Sequence, residues 1–274
     1  MSLSKKNDFA VVFSVKNANP NGDPLNGNRP RTTLDSFGEM SDVCIKRKIR
    51  NRLMDAGKKI FVQSDDNKID EFTSLRARAE PILAKLHKEA SREDKISIVC
   101  SEWFDVRAFG QVFAYSADKK GEGLSIGVRG PVSVHPAFSV DPVEVTSTQI
   151  TKSVSGEGDG VKKASDTMGM KHRVDKGIYV FYGSMNPQLA VKTGFSDEDA
   201  MAIKNVLPKL FENDASSARP EGSMEVLKVI WWEHSCKSGD VSSAKVHRSL
   251  CVNLDGSISC EQIDGPTPEI IDGF

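Results

Sequence analysis

No apolar run in the chain is long enough to cross a bilayer: FAVVF (9–13) and VIWW (229–232) fall far short of the ~20 residues a membrane helix needs. Net charge is also nearly absent, since 37 basic and 38 acidic side chains leave −1. Overall charge therefore gives no pull toward nucleic acid, and any basic surface must be local. The five cysteines (44, 100, 236, 251, 260) form no CxxC pair and follow no secretory segment, so reduced thiols in a cytoplasm are expected.

Catalytic motifs are missing as well. There is no Gly-x-Ser-x-Gly and no His-Glu-x-x-His, and GEGDG (156–160) lacks the Gly-Lys-Ser/Thr ending of a phosphate-binding loop. His234, Cys236, His247 and Cys251 superficially resemble zinc spacing. The intervals match no usual pattern and the segments read as core strands, so no metal or other cofactor is expected.

What remains is an ordinary globular composition, 38% hydrophobic and 27% charged over 274 residues, suited to one large domain with insertions. The apolar stretch FAVVFSVK (9–16) predicts a first strand. It runs straight into NANPNGDPLNGNRPR (17–31), rich in turn chemistry. Ile45, Ile49 and Leu53 predict a helix over 41–56, ended by Gly57. A second helix is expected over 72–90, kinked or split by Pro81. KISIVC (95–100) alternates like a short strand, and SEWFDVRAFGQVFAY (101–115) suits a helix capped by Ser101. Strand-like sequence broken by Pro131, Pro136 and Pro142 fills 124–151.

GIYVFYGSM (177–185) and MEVLKVIWWEH (224–234) predict buried strands, and Ser196 with Asp199 resembles a capping box for a helix over 196–211. Between the 124–151 stretch and GIYVFYGSM lies a polar, glycine-rich excursion from about 152 to 176, read as a long hairpin or protruding loop. Asp255-Gly256 offers a further hairpin turn. The order of elements fits an α+β, ferredoxin-like sheet carrying insertions.

Local basic clusters are the candidate binding surface. Lys46 and Arg50 form one i,i+4 column on the predicted helix, and Lys48 and Arg52 another; the pattern suits a phosphate track or simply a solvated face. Arg29 and Arg31 follow the first strand, Arg129 sits between Gly127 and Gly130, and Lys162, Lys163, Lys171, His172 and Arg173 occupy the excursion. Gly127 and Gly130 suit either close backbone approach to an anion or a tight turn. Met168 and Met170 either wedge between stacked bases or pack against protein. Asp23 and Asp35 flank the basic loop, and for Asp23 turn geometry is the simpler role.

Taken in order, FSVKNANPNGDPLNGNRPR, WFDVRAFGQVFA, SIGVRGPVSVHPAFSVDPVEVTSTQIT and MGMKHRVDKGIYVFYGSMN resemble the backbone subunit of type I CRISPR Cascade complexes, the Cas-seven family, and most closely its type I-C branch. The likeness covers roughly residues 8–234. It implies an RNA-recognition-motif (RRM)-like palm, a finger-like insertion within about 58–100 and a thumb hairpin at about 152–173, in one domain spanning 1–274. It also implies copies assembled head to tail along one CRISPR RNA (crRNA), with target DNA paired to the guide. Further implied partners are a subunit capping the crRNA end, large and small subunits, and a recruited helicase-nuclease.

By position, the resemblance makes Asn21, Arg29 and Arg31, the helix residues Lys46, Lys48 and Arg50, and Arg129 candidates for gripping guide phosphates. Lys163, Met168, Met170, Lys171, His172 and Arg173 fall on the thumb. The RNP-type aromatics that stack bases in ordinary RNA-recognition motifs are not evident. Type III relatives cut RNA with an aspartate in the loop after the first strand, where Asp23 stands, so a metal-dependent ribonuclease is the alternative. Type I backbone subunits are not nucleases, and the expected role is therefore non-catalytic.

Overall fold

The structure, a computed structural model, describes residues 1–87, 90–115, 124–151 and 168–274. Lys162, Lys163, the GEGDG turn and the rest of the excursion from 152 to 167 lie outside the described residues.

The chain begins with β1 (Asn7–Ala18), the short strands β2 (Gly22–Asp23) and β3 (Arg29–Pro30), and β4 (Phe37–Met40). Next comes α1 (Asp42–Asp55), capped by Ser41, whose Oγ accepts from the Cys44 amide at 3.3 Å. Ile45, Ile49 and Leu53 form its fully buried stripe, as their spacing predicts. After it come α2 (Leu75–Leu83), α3 (Arg92–Glu102), α4 (Phe104–Phe109), β5 (Gly110–Tyr115) and β6 (Leu124–Arg129). These enclose a small core of their own, where Phe61 lies 4.7 Å from the Trp103 ring and 5.1 Å from that of Phe113.

Strands β7 (Val132–Val134), β8 (Ala137–Pro142), β9 (Val145–Thr151) and β10 (Met168–Met185) come next, bounded by the prolines that sequence reading marked as interruptions. The remainder is α5 (Pro187–Thr193), α6 (Asp197–Val206), β11 (Met224–Glu233), α7 (Ser243–Arg248), β12 (Leu250–Val252), β13 (Ile258–Cys260) and β14 (Pro268–Asp272). The Ser196/Asp199 capping box is present, and Gly256, at φ 84°, turns β12 into β13.

In the main sheet the order is β14-β11-β1-β10-β8-β4, with β7 and β9 also paired to β10. β1 is antiparallel to both neighbours, Val11 facing Phe181 on one side and Val229 on the other. Burial on both faces explains its nearly unbroken apolar run. Phe9, Phe13 and Val15 face the large core beneath α1 and α6, where Phe13 stacks on Tyr179 at 5.3 Å. Ala10 and Val12 face a second layer with Trp232, Val246 and Leu250. The C-terminal segment thus covers the sheet face opposite α1, which leaves little of it open for base stacking.

Three local expectations fail. KISIVC belongs to α3, begun by a Ser91/Asp94 capping box, because a short apolar run carries no reliable period and the cap lies upstream of it. The expected helix over 101–115 spans only Phe104 to Phe109, and Ser101, expected to cap it, lies inside α3. Gly110 takes φ 81°, and the aromatic and β-branched residues after it pair with β6. The 72–90 helix is likewise shorter than expected, stopping two residues beyond Pro81.

Candidate nucleic-acid interface

The loop after β1 is held by its own polar side chains. Asn19 Nδ2 donates to the Asn28 carbonyl at 2.7 Å, and β2 pairs with β3, bringing Asp23 opposite Arg29. Asp23 Oδ1 accepts from the Leu25 amide at 3.2 Å and lies 3.4 Å from Arg31 Nη2. Asn21 Oδ1 accepts from the Ser41 amide at 3.0 Å and from Ser41 Oγ at 2.9 Å. The turn-rich sequence therefore ends docked on the start of α1.

Helix α1 differs from a track of free cations. Lys48 is only 4% exposed, and its ammonium pairs with Asp214; burial pushes its pKa down, while Asp214 works against that shift. Arg50 Nε donates to Asp105 Oδ2 at 2.9 Å, and the guanidinium sits 5.2 Å from the Phe109 ring centroid. Arg52 is buried beside Asp55, and Lys46 reaches back to Asp42 at 2.9 Å. The Lys48/Arg52 column is thus neither a solvated face nor an open phosphate track, because it points into the protein. Arg47, between the columns, is 55% exposed and 3.2 Å from Asp66.

Two adjoining grooves, of about 410 and 340 Å³, share Asn21, Cys44 and Arg47. Lys48 also lines the larger and Arg50 the smaller, beside the polar side chains of Asn51, Asn213 and Arg219 in the first and Gln63 in the second. Arg47 and these amides were not singled out by sequence. Asn213 carried a weak signal, a lone Asn in a short polar stretch, and it adopts φ 53°.

Strands β9 and β10 pair from Val145/Val174 outward to Thr151/Met168. Met168 and Met170 are 65% and 55% exposed, and Lys171 is exposed too. Arg29 Nη1 donates to Ser147 Oγ at 2.8 Å, and His172 Nδ1 lies 2.9 Å from the same hydroxyl. The basic loop and the root of this hairpin are therefore in direct contact. Arg173 instead turns to Asp175, 3.4 Å away.

Arg129 lies elsewhere, in a cleft of about 970 Å³ lined also by Arg92, Arg107 and Lys192. Its glycines are unequal. A Cβ on Gly130 would fall 2.3 Å from the Ala108 carbonyl oxygen, whereas one on Gly127 would meet nothing within 4 Å. The close approach at Gly130 is thus used by the protein's own α4–β5 corner.

Of the zinc-like quartet, His234 and His247 both face Asp8, and the two cysteines lie apart from them. His234 is fully buried, Cys236 and Cys251 are exposed, and no group of three or more metal-ligating side chains occurs among the described residues. His234 Nδ1 accepts from the Asp240 amide at 2.8 Å, so the ring proton sits on Nε2 and is donated to Asp8 Oδ2, also at 2.8 Å. Among the described residues no helix is long and apolar enough to cross a membrane.

The family model for CRISPR-associated protein Cas7 matches residues 5–267. The chain belongs to that family. A Cas7 relative from Haloferax volcanii is 26% identical over 246 residues, covering 84% of this chain and 71% of its own. A chain of a CRISPR RNA-guided surveillance complex, pre-nicking, aligns over 82% of this chain and 75% of its own, with TM-score 0.50 and 18% identity. That likeness is one of fold: mixed α+β with a large antiparallel sheet. For this Cas7 family member, the motifs quoted from the sequence pointed to the right family. The same loop, α1 and hairpin supply the geometry described above.

Proposed function

We propose that this chain is the crRNA-binding backbone subunit of a type I-C Cascade complex, several copies of which wind head to tail along one guide. The contact that carries the reading is Arg29 on Ser147, which joins the loop after β1 to the root of the β9–β10 hairpin. A strand lying over α1 would meet Asn21, Arg29, Arg31 and Arg47 on one side and the hairpin's Met168, Met170, Lys171 and His172 on the other. The order β11-β1-β10-β8, with helices between β1 and β8 and between β10 and β11, supports an RRM-like palm. In this reading the lobe around Phe61 is the finger, and the hairpin, with Lys163 and Arg173, is the thumb.

Such a subunit must accept any guide sequence. Holding sugar and phosphate while leaving base edges free meets that need, and target DNA is then read by base pairing. Lys46, Lys48 and Arg50 serve the groove by shaping α1, since their charges are already paired. Asp23 serves the loop: its carboxylate is engaged by the Leu25 amide and Arg31, which supports a structural rather than metal-binding role. The capping, large and small subunits and the helicase-nuclease complete the proposed assembly, which acts in antiviral defence.

The test is purification from cells expressing a CRISPR array. The expected product is a ribonucleoprotein filament carrying guide RNA of uniform length. RNA-free protein that forms no filament when guide is added would refute the reading. Periodic, Mg²⁺-dependent cuts in complementary RNA, abolished by Asp23→Ala, would establish the nuclease instead.

A further inference from the structure

Lys16 on β1 and Lys176 on β10 stand directly opposite each other in the antiparallel ladder, and both are exposed. Opposed side chains in such a pair have Cβ atoms about 5 Å apart, so like charges there repel. Neither ammonium has an ion-pair partner among the described residues. Of the carboxylates nearby, Asp175 takes Thr146 Oγ1 at 2.8 Å and Arg173 at 3.4 Å, Glu225 takes Ser14 Oγ at 3.4 Å, and Asp141, which lines the same pocket, forms no ion pair with either lysine. Immediately beyond, the ladder skips Asn17, which adopts φ 54°, and resumes at Ala18 and Val174.

The pair lines a pocket of about 420 Å³ with Asp141, Pro142, Ile178 and Leu254. Ile178 packs with the C-terminal layer that covers the sheet face opposite α1, so the pocket lies at the margin of that layer. It shares no lining residue with the grooves beside α1.

We propose that this pocket binds one nucleotide of a single-stranded nucleic acid, with Lys16 and Lys176 clamping its phosphate. Two ammonium groups converging on one anion remove the repulsion that the ladder otherwise imposes. Pro142, Ile178 and the exposed Leu254 give a base an apolar wall, and the Asp141 carboxylate can accept from an exocyclic amine. An acidic protein segment suits the pocket less well, because an Asp or Glu side chain brings no base to cover the apolar wall of Pro142, Ile178 and Leu254. The site is independent of the guide groove: it acts on a second strand whether or not the first is bound.

The test uses the full chain with a fluorescent oligothymidine and, separately, an oligocytidine that carries an exocyclic amine. Arg29→Ala/Arg31→Ala/Arg47→Ala serves as the background, to suppress the α1 groove. Adding Lys16→Gln/Lys176→Gln should weaken the remaining binding by about tenfold or more and lower the salt slope by about 0.7, the value for one phosphate on a single strand. The melting temperature should stay constant or rise by up to about 3 °C, since a repulsive pair is removed. Asp141→Asn should weaken oligocytidine selectively.

Four results overturn the proposal: no binding in the background protein, unchanged affinity and slope, a lower melting temperature in the double variant, or displacement of the oligonucleotide by polyglutamate as effective as by unlabelled strand. Failure of the parent protein to hold guide RNA would refute the proposed function and leave this site standing.

Discussion

Asn21 Oδ1 receives two hydrogen bonds from one residue, Ser41, at 3.0 Å from the amide and 2.9 Å from Oγ, while that same Oγ caps α1. A single side chain therefore sets where the basic loop meets the helix. Asn21→Ala should cost about 1–2 kcal/mol of stability. It should also weaken guide binding with no change in salt slope, since no charge is lost. Thermal unfolding and a salt titration of affinity check both.

The cations of α1 should read out as stability. Asp105 is 1% exposed and accepts from Arg50 Nε and from the Phe61 and Val62 amides, at 2.9, 2.7 and 3.0 Å. Asp105→Ala strands all three donors and should cost about 3–5 kcal/mol, a drop on the order of 10 °C in melting temperature. Lys48→Met should cost less, about 1–3 kcal/mol, because Arg219 stays 3.1 Å from Asp214. Arg29→Ala, on a half-buried loop, should leave the melting temperature nearly unchanged.

Gly130 and Gly127 separate a packing role from an anion nest. Gly130→Ala forces a methyl group against the Ala108 carbonyl and the Gly110 amide, so the melting temperature should fall by at least about 5 °C. Gly127→Ala faces open space and should stay within about 0.5 kcal/mol of the parent.

Acid should unfold the protein partly through Asp8. Burial alone would raise its pKa, but the hydrogen bond from His234, the nearby polar groups of His247 and Ser243 and the charge of Lys6 hold it well below the usual carboxylate range. A depressed folded-state pKa gives stability that is complete above the unfolded value of about 4 and is lost as pH falls toward the folded one. The stability gap between parent and Asp8→Asn should be constant from pH 7 to about 5 and narrow below about 4. Urea unfolding at each pH measures it.

Much of the fold was legible because local signals agreed with tertiary ones. Ile45, Ile49 and Leu53 gave α1 its face, Ser196 gave α6 its cap, and FAVVF gave the doubly buried β1. The signal failed where it was short or interrupted. KISIVC lacked enough length to show a period, and Gly110 turned an apolar helix pattern into a strand. Within the candidate interface, sequence marked the loop after β1 and the helix α1, but residue type alone cannot show whether a cation is free. Nothing in the sequence separates Lys48 and Arg50 from Arg47, and only the fold buries the first two against Asp214 and Asp105 while Arg47 stays exposed beside Asp66.

The most direct test is the salt dependence of guide-RNA affinity for the parent protein and for Arg29→Ala/Arg31→Ala/Arg47→Ala, measured with several unrelated guide sequences. Removing three phosphate contacts should weaken binding equally for every guide and reduce the slope of log affinity against log salt by about 2. An unchanged slope, or a loss that depends on guide sequence, would contradict a groove that holds the RNA by its backbone.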